Sequence, residues 1–182
     1  MIPFEIKSNQ YIELMKKSYE KCGISVVEVP SSSEVISLNW FENIDSKYAF
    51  KRLFIYIKKN IQLFLWRNKI IIWTMHNKQP HDSSKKFLSN RLIKTIIKKS
   101  DKIIIHSKES VNELYQSYNL KSSENIVYVP HPNYINQYGE YNMRRELNNK
   151  QLKLLFVGAI KEYKNIELLI KVINELNNEN IQ

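Results

Sequence analysis

The chain reads as an α/β protein built on a parallel, doubly wound sheet, and three observations predict this class. Short β-branched runs alternate with amphipathic helical stretches along most of the 182 residues. Residues 69–74, Lys-Ile-Ile-Ile-Trp-Thr, are apolar without alternation, as a strand buried on both faces of a parallel sheet must be. The segments between strands are long enough for crossover helices, which wind right-handed in nearly all known sheets.

The elements follow in order. Residues 9–22 place Tyr11, Ile12, Leu14, Met15 and Tyr19 at helical spacing, with Gly23 as a C′ residue just past the end. Residues 24–29 are β-branched and stop at Pro30, which predicts a strand, and residues 35–40 predict a second. Asp45 or Ser46 can cap a long helix reaching about Arg67. After the 69–74 strand and a loop holding Pro80, a helix is expected over 84–99, a buried strand over 102–105, a short helix over 109–117 and a strand over 126–129. A Pro-rich loop from Pro130 to Gly139 and a polar stretch over 141–151 close a first domain, 1–148. Residues 152–182 then offer one strand (152–157), a turn at Gly158 and a helix (166–176). This is the start of a second α/β domain, too short to bury a core alone.

Composition narrows the function classes. Hydrophobic residues make up 43% of the chain, too many for intrinsic disorder. The single cysteine, Cys22, excludes a disulfide framework and a cysteine zinc site and fits a reducing, cytoplasmic setting. The N-terminal residues lack a basic segment followed by an apolar one, so no signal peptide is expected. Three glycines, Gly23, Gly139 and Gly158, build neither a dinucleotide fingerprint nor a Walker A loop. The net charge of +10 is concentrated: residues 47–108 hold sixteen Lys or Arg against Asp82 and Asp101, a local +14. Such a block suggests an anionic partner, or else lysines that merely solvate a surface. It falls on two amphipathic stretches, 47–67 and 84–99. Each is expected to pack its apolar side on the sheet, Phe50, Leu53, Phe54, Ile57, Ile61 and Leu65 in the first case, and to turn its lysines outward. An anionic membrane surface is the expected partner of these helices. Nucleic acid is not, because no nucleic-acid motif accompanies the charge.

Ligands of doubly wound sheets bind beyond the carboxyl ends of the strands. All four histidines, His76, His81, His106 and His131, fall at or just after the C-terminal end of a predicted strand. His76-Asn77 closes the most apolar strand, where an imidazole serves as base or hydrogen-bond partner to a substrate, or only satisfies local backbone. His81-Asp82 reads equally as an oriented base or as a helix start in which Asp82 caps with Ser83 and Ser84. Beside His106, Ser107 is expected to cap the next helix. His131, between two prolines, is expected to shape a loop. No histidine pair with the i, i+4 or short three-to-five-residue spacing of a metal site is backed by a second ligand set, so no metal or other cofactor is expected.

Several segments, taken together, resemble bacterial family 4 glycosyltransferases with the GT-B fold. Ile71-Ile72-Trp73-Thr74-Met75-His76-Asn77 with Pro80-His81-Asp82 resembles the family's strand and loop. Ser37-Leu38-Asn39-Trp40, residues 101–107 and Val129-Pro130-His131-Pro132-Asn133-Tyr134 follow the same order. Residues 156–166 resemble the first strand, phosphate-binding loop and helix of that family's C-terminal domain. The resemblance implies a Rossmann-like acceptor-side domain and transfer of a sugar from a nucleotide sugar to a saccharide or lipid-phosphate-linked acceptor. It implies His76 at the reaction centre, Gly158, Lys161 and Lys164 on the donor diphosphate, and Asn77, His81 and Asp82 toward the acceptor. It implies no metal, since basic residues neutralise the leaving diphosphate, and a peripheral place at the inner membrane face. Ala159 and Asn165 depart from the family's usual Arg and Gly. The family's distal acidic motif is absent from these 182 residues, so the chain alone is expected to be incomplete as a transferase.

Overall fold

The computed structural model describes residues 2–3, 9–44, 46–76, 86–120, 122–135, 137, 139, 154–158, 160 and 164–176. The chain divides into two units, 1–137 and 138–182.

The first unit is the expected α/β fold. Five parallel strands lie side by side in chain order: β1 (Ile2–Pro3), β2 (Val35–Asn39), β3 (Ile70–Met75), β4 (Lys102–Ile105) and β5 (Ile126–Tyr128). Between them run α1 (Gln10–Lys21), α2 (Ala49–Leu65), α3 (Lys86–Lys99) and α4 (Ser110–Tyr118). Side-chain alternation sorts the strands into two faces. Ile36, Leu38, Ile71, Trp73, Met75, Ile103 and Ile105 point to one face. There they form the core with Leu63 and Trp66 at the end of α2, Leu92, Ile93 and Ile96 of α3, and Leu114 and Tyr118 of α4. Ser37, Asn39, Thr74 and Ile104 point to the other, which α1 covers: the Asn39 amide meets Met15 Sδ at 4.0 Å. Asp101 ties β3 to β4 at their amino ends, its carboxylate accepting from Ile71 N at 2.7 Å and its own N–H donating to Ile71 O at 2.8 Å.

Gly23 ends α1 as expected. Its φ of +74° turns the chain, and the bonds Gly23 N to Glu20 O and Ile24 N to Tyr19 O, both 2.9 Å, close a Schellman motif. Residues 24–29 are not a strand, contrary to expectation. The β2 edge they would need is taken by Ile2–Pro3, whose proline is tolerated at a sheet edge. Residues 24–29 instead lead, with Ile24 and Val29 exposed, into a 3-10 turn at Pro30–Ser32.

The face of α2 is a second correction. Phe50, Leu53, Phe54, Ile57, Ile61 and Leu65, expected against the sheet, are all exposed. The helix buries Leu63 and half-buries Ile55 and Tyr56, and Trp66 completes the contact. Lys59 fixes this choice by turning inward to donate to Phe41 O at 2.7 Å and to Asn43 O, over the Phe41 ring. Apolar residues lie almost all round α2, so periodicity alone does not select a face. The cap differs as well: Tyr48 is the N-cap, and Ser46 Oγ accepts from Tyr48 N at 3.2 Å in the preceding turn. Asp45 lies outside the described residues. α3 behaves as expected, with Arg91, Lys94, Lys98 and Lys99 outward.

In the second unit, α5 (Ile166–Leu176) matches the expected helix. Residues 154–157, expected as strand, have no regular structure, because no second segment pairs with them among the described residues. Gly158 has φ +144°, and a Cβ there would lie 2.6 Å from Lys164 Nζ. The lysine also lies over the Phe156 ring, so its ammonium is folded back across the glycine.

Candidate functional site

The register of β3 and β4 builds the site. Met75 stands opposite Ile105, so the next residues, His76 and His106, emerge side by side at the carboxyl edge. Both follow the parity of Thr74 and Ile104 and so fall on the α1 face. One strand further, Val129 N donates to Ile105 O at 2.9 Å and carries the chain past Pro130 to His131. The ring nitrogens of His76, His106 and His131 come within 4.8 Å of one another.

Each ring is held from outside. Asn39, diagonal to His76 across the β2–β3 ladder, places Oδ1 2.9 Å from His76 Nε2. The Asn39 amide nitrogen donates to Ser37 Oγ at 3.3 Å, which fixes the amide orientation and makes His76 Nε2 the donor. His76 Nδ1 therefore carries the lone pair. His106 Nδ1 lies 2.7 Å from the Val129 carbonyl, which only accepts, so His106 Nε2 carries its lone pair. That nitrogen is buried and has no hydrogen-bond partner among the described residues. The Tyr134 hydroxyl lies 3.3 Å from His131 Nδ1.

Two aromatic rings complete the wall. Trp40 stacks on His76, centroids 3.8 Å apart and planes 12° from parallel. It reaches that position through a φ of +50°, a left-handed conformation costing a bulky residue roughly 1–3 kcal/mol. Extended backbone would have continued the alternation of Ile36 and Leu38 and sent Trp40 toward the core. Asn9 caps α1 by accepting from Tyr11 N at 2.9 Å, and the Tyr11 ring meets His76, His106 and His131 at 4.8, 5.3 and 5.4 Å.

Electrostatics follow from this crowding. Burial first, then the proximity of His106 and His131, pushes His76 down to about 3, so it is neutral at physiological pH. His131 is lowered by burial and by His106. Burial pushes the Tyr11 hydroxyl up to about 12. A neutral imidazole of such low basicity makes a poor general base, and its unprotonated nitrogen remains available as a hydrogen-bond acceptor.

Of the expected site residues, the structure brings His76 into this cluster and folds Lys164 over Gly158 in the second unit. Asn77, His81, Asp82 and Lys161 lie outside the described residues. His106 and His131, expected in capping and loop-shaping surroundings, prove to be cluster members. Ser107 does not cap α4, because its hydroxyl bonds the Glu109 carboxylate. Tyr11 and Trp40 were not singled out as site residues. Asn39 entered only as part of the segment Ser37-Leu38-Asn39-Trp40. The signal for it was available: a polar residue at the end of an apolar strand, two positions on from Ser37 on the same face.

The fold and site define an α/β protein of Rossmann-like architecture with a histidine cluster at the carboxyl edge of its sheet. Comparison of the sequence with known protein families and with curated proteins finds no match. No helix among the described residues is long and apolar enough to cross a membrane.

Proposed function

We propose that the chain provides the acceptor-side part of a GT-B glycosyltransferase. It would act on a nucleotide-sugar donor and a saccharide or lipid-linked acceptor at an anionic membrane surface. The observation that carries this reading is the setting of His76. A neutral ring with its N–H committed to Asn39 and its face to Trp40 offers one lone pair, from Nδ1, at the edge where ligands of such sheets bind. That lone pair accepts a hydrogen bond from a sugar hydroxyl and fixes the ring that carries it. In the transfer, the acceptor oxygen bonds to the anomeric carbon as the bond to the diphosphate breaks, and the acceptor hydroxyl's proton goes to the departing diphosphate. His76 positions rather than deprotonates. Lys161 and Lys164 would neutralise the leaving diphosphate, with Gly158 leaving room for the Lys164 ammonium.

The outward face of α2 supports the membrane part. Phe50, Phe54, Ile57, Ile61 and Phe64 form an exposed apolar arc about 80° wide at 100° per residue. Lys47, Lys51 and Lys58 line one side of it, all exposed. An apolar strip edged with cations is the pattern of a helix lying in an anionic lipid interface.

Ligand-observed NMR with untagged protein in EDTA, across a panel of nucleotide sugars and oligosaccharides, tests the sugar site. Saturable binding of at least one, weakened tenfold or more by His76→Ala, is expected. Binding that the variant leaves unchanged overturns the role of His76, and no binding by any member overturns the transferase reading.

A further inference from the structure

We propose that His76, His106 and His131 together bind one divalent transition-metal ion of the zinc class. The inference does not depend on the transferase reading, and the ion and a sugar hydroxyl are alternative occupants of the single His76 Nδ1 lone pair.

Three observations carry it. First, three imidazoles from three separate strand ends converge, with ring nitrogens within 4.8 Å of one another. A tetrahedral ion with nitrogens at about 2.0–2.1 Å needs them roughly 3.3 Å apart, so shifts of under about 1 Å per ring complete the set. Second, two of the rings already have one nitrogen engaged in the way that metal-ligating histidines are held. His76 Nε2 donates to the Asn39 amide oxygen and His106 Nδ1 to the Val129 carbonyl. Those bonds fix the tautomers, leaving His76 Nδ1 and His106 Nε2 with lone pairs. Third, His106 Nε2 is buried with no hydrogen-bond partner among the described residues, so its lone pair is uncompensated at the point where the three rings meet.

The chemistry of the set narrows the ion. Imidazole nitrogens without a thiolate or a described carboxylate suit Zn²⁺, Co²⁺, Ni²⁺ or Cu²⁺ and disfavour Mg²⁺ and Ca²⁺, which take oxygen ligands. Three protein ligands leave a fourth position open, the pattern of sites that accept water or a ligand oxygen. The one described cysteine, Cys22, is exposed as the C-cap of α1, eleven residues beyond Tyr11 and at the opposite end of the helix from the cluster.

The test uses the full, untagged chain stripped with EDTA and titrated with Zn²⁺ against a chromophoric chelator, and separately with Co²⁺. One Zn²⁺ per chain with Kd at or below micromolar is expected, and Co²⁺ should give tetrahedral d–d bands without a thiolate charge-transfer band. His106→Gln and His131→Gln should each weaken Zn²⁺ binding at least tenfold, and Asn39→Ala, acting through His76, by a similar factor. Cys22→Ser should leave binding unchanged. No saturable binding by the wild-type chain overturns the proposal, as does an affinity that both histidine variants retain. Circular dichroism of each variant identifies loss of fold, and the Co²⁺ spectrum of the wild-type chain tests the ligand set without any substitution. Sugar binding measured in EDTA is untouched by failure here, so the two readings stand or fall apart.

Discussion

Protonation of His76 should make the metal-free protein markedly less stable in mild acid, by an amount the structure sets. The folded ring is held at about 3, against an ordinary value of 6.5, by burial and by the two neighbouring histidines. Between these values the unfolded chain binds a proton that the folded chain refuses. The stability associated with neutral His76 is therefore complete above pH 6.5 and is lost as the pH falls toward 3. The slope approaches 1.4 kcal/mol per pH unit, and the loss from pH 7.5 to 4.5 is about 2.7 kcal/mol. Other groups titrate in this range, so the measurement is a comparison with His76→Gln. Glutamine keeps an N–H donor for Asn39 but has no proton to gain. His131, also lowered, is present in both proteins and largely cancels. Urea unfolding followed by far-UV circular dichroism in EDTA, at pH 7.5 and 4.5, gives the four free energies. Wild type should lose about 2.7 kcal/mol more than the variant. Equal losses, within about 0.5 kcal/mol, would refute the crowded, dehydrated setting assigned to His76.

Two further outcomes follow from buried and surface charge. Glu42 is buried with Oε2 accepting from Trp73 Nε1 at 3.2 Å and Oε1 without a hydrogen-bond partner among the described residues, and burial raises its carboxyl above the usual range. A raised folded value means stability present at low pH and lost as pH rises, so Glu42→Gln should raise the melting temperature at pH 7.5 and lose that advantage near pH 4. On the membrane side, Lys51→Gln with Lys58→Gln should cost about 2 kcal/mol of binding to phosphatidylglycerol vesicles, roughly thirtyfold, read by co-sedimentation at fixed salt. Phe54→Glu in the same helix should abolish it, whereas equal sedimentation of all three proteins would remove the membrane from the proposed function.

Much of the fold was legible because parallel strands buried on both faces are written as uninterrupted apolar runs. Ile70–Met75 and Lys102–Ile105 match the expected segments to within a residue. What failed were choices between near-equal alternatives. Residues 24–29 are as β-branched as a strand, yet a strand needs an edge, and Ile2–Pro3 holds it. In α2 the face was decided by Lys59 reaching two loop carbonyls, a tertiary event that leaves no periodic trace. The carboxyl edge was legible as a place, because the histidines mark it. Its composition was legible in part: Trp40 enters the site through a positive φ that no pattern of apolar and polar residues encodes.

The histidine cluster also shows why spacing along a chain misjudges sites of this kind. On a helix, ligands that share an ion must recur every three or four residues, so close spacing is a fair criterion there. On a parallel sheet the neighbours of a strand end are the ends of other strands, each separated by a whole crossover helix. His76 and His106 are thirty positions apart, yet the pairing of Met75 with Ile105 makes them adjacent. The relevant spacing is measured from each strand's last residue, and by that measure both stand at the first position. Equal offset gives equal parity, which puts both imidazoles on the α1 face, where Tyr11 closes over them. A search of such sequences for metal or substrate sites therefore gains most by aligning the predicted strand ends and reading across them.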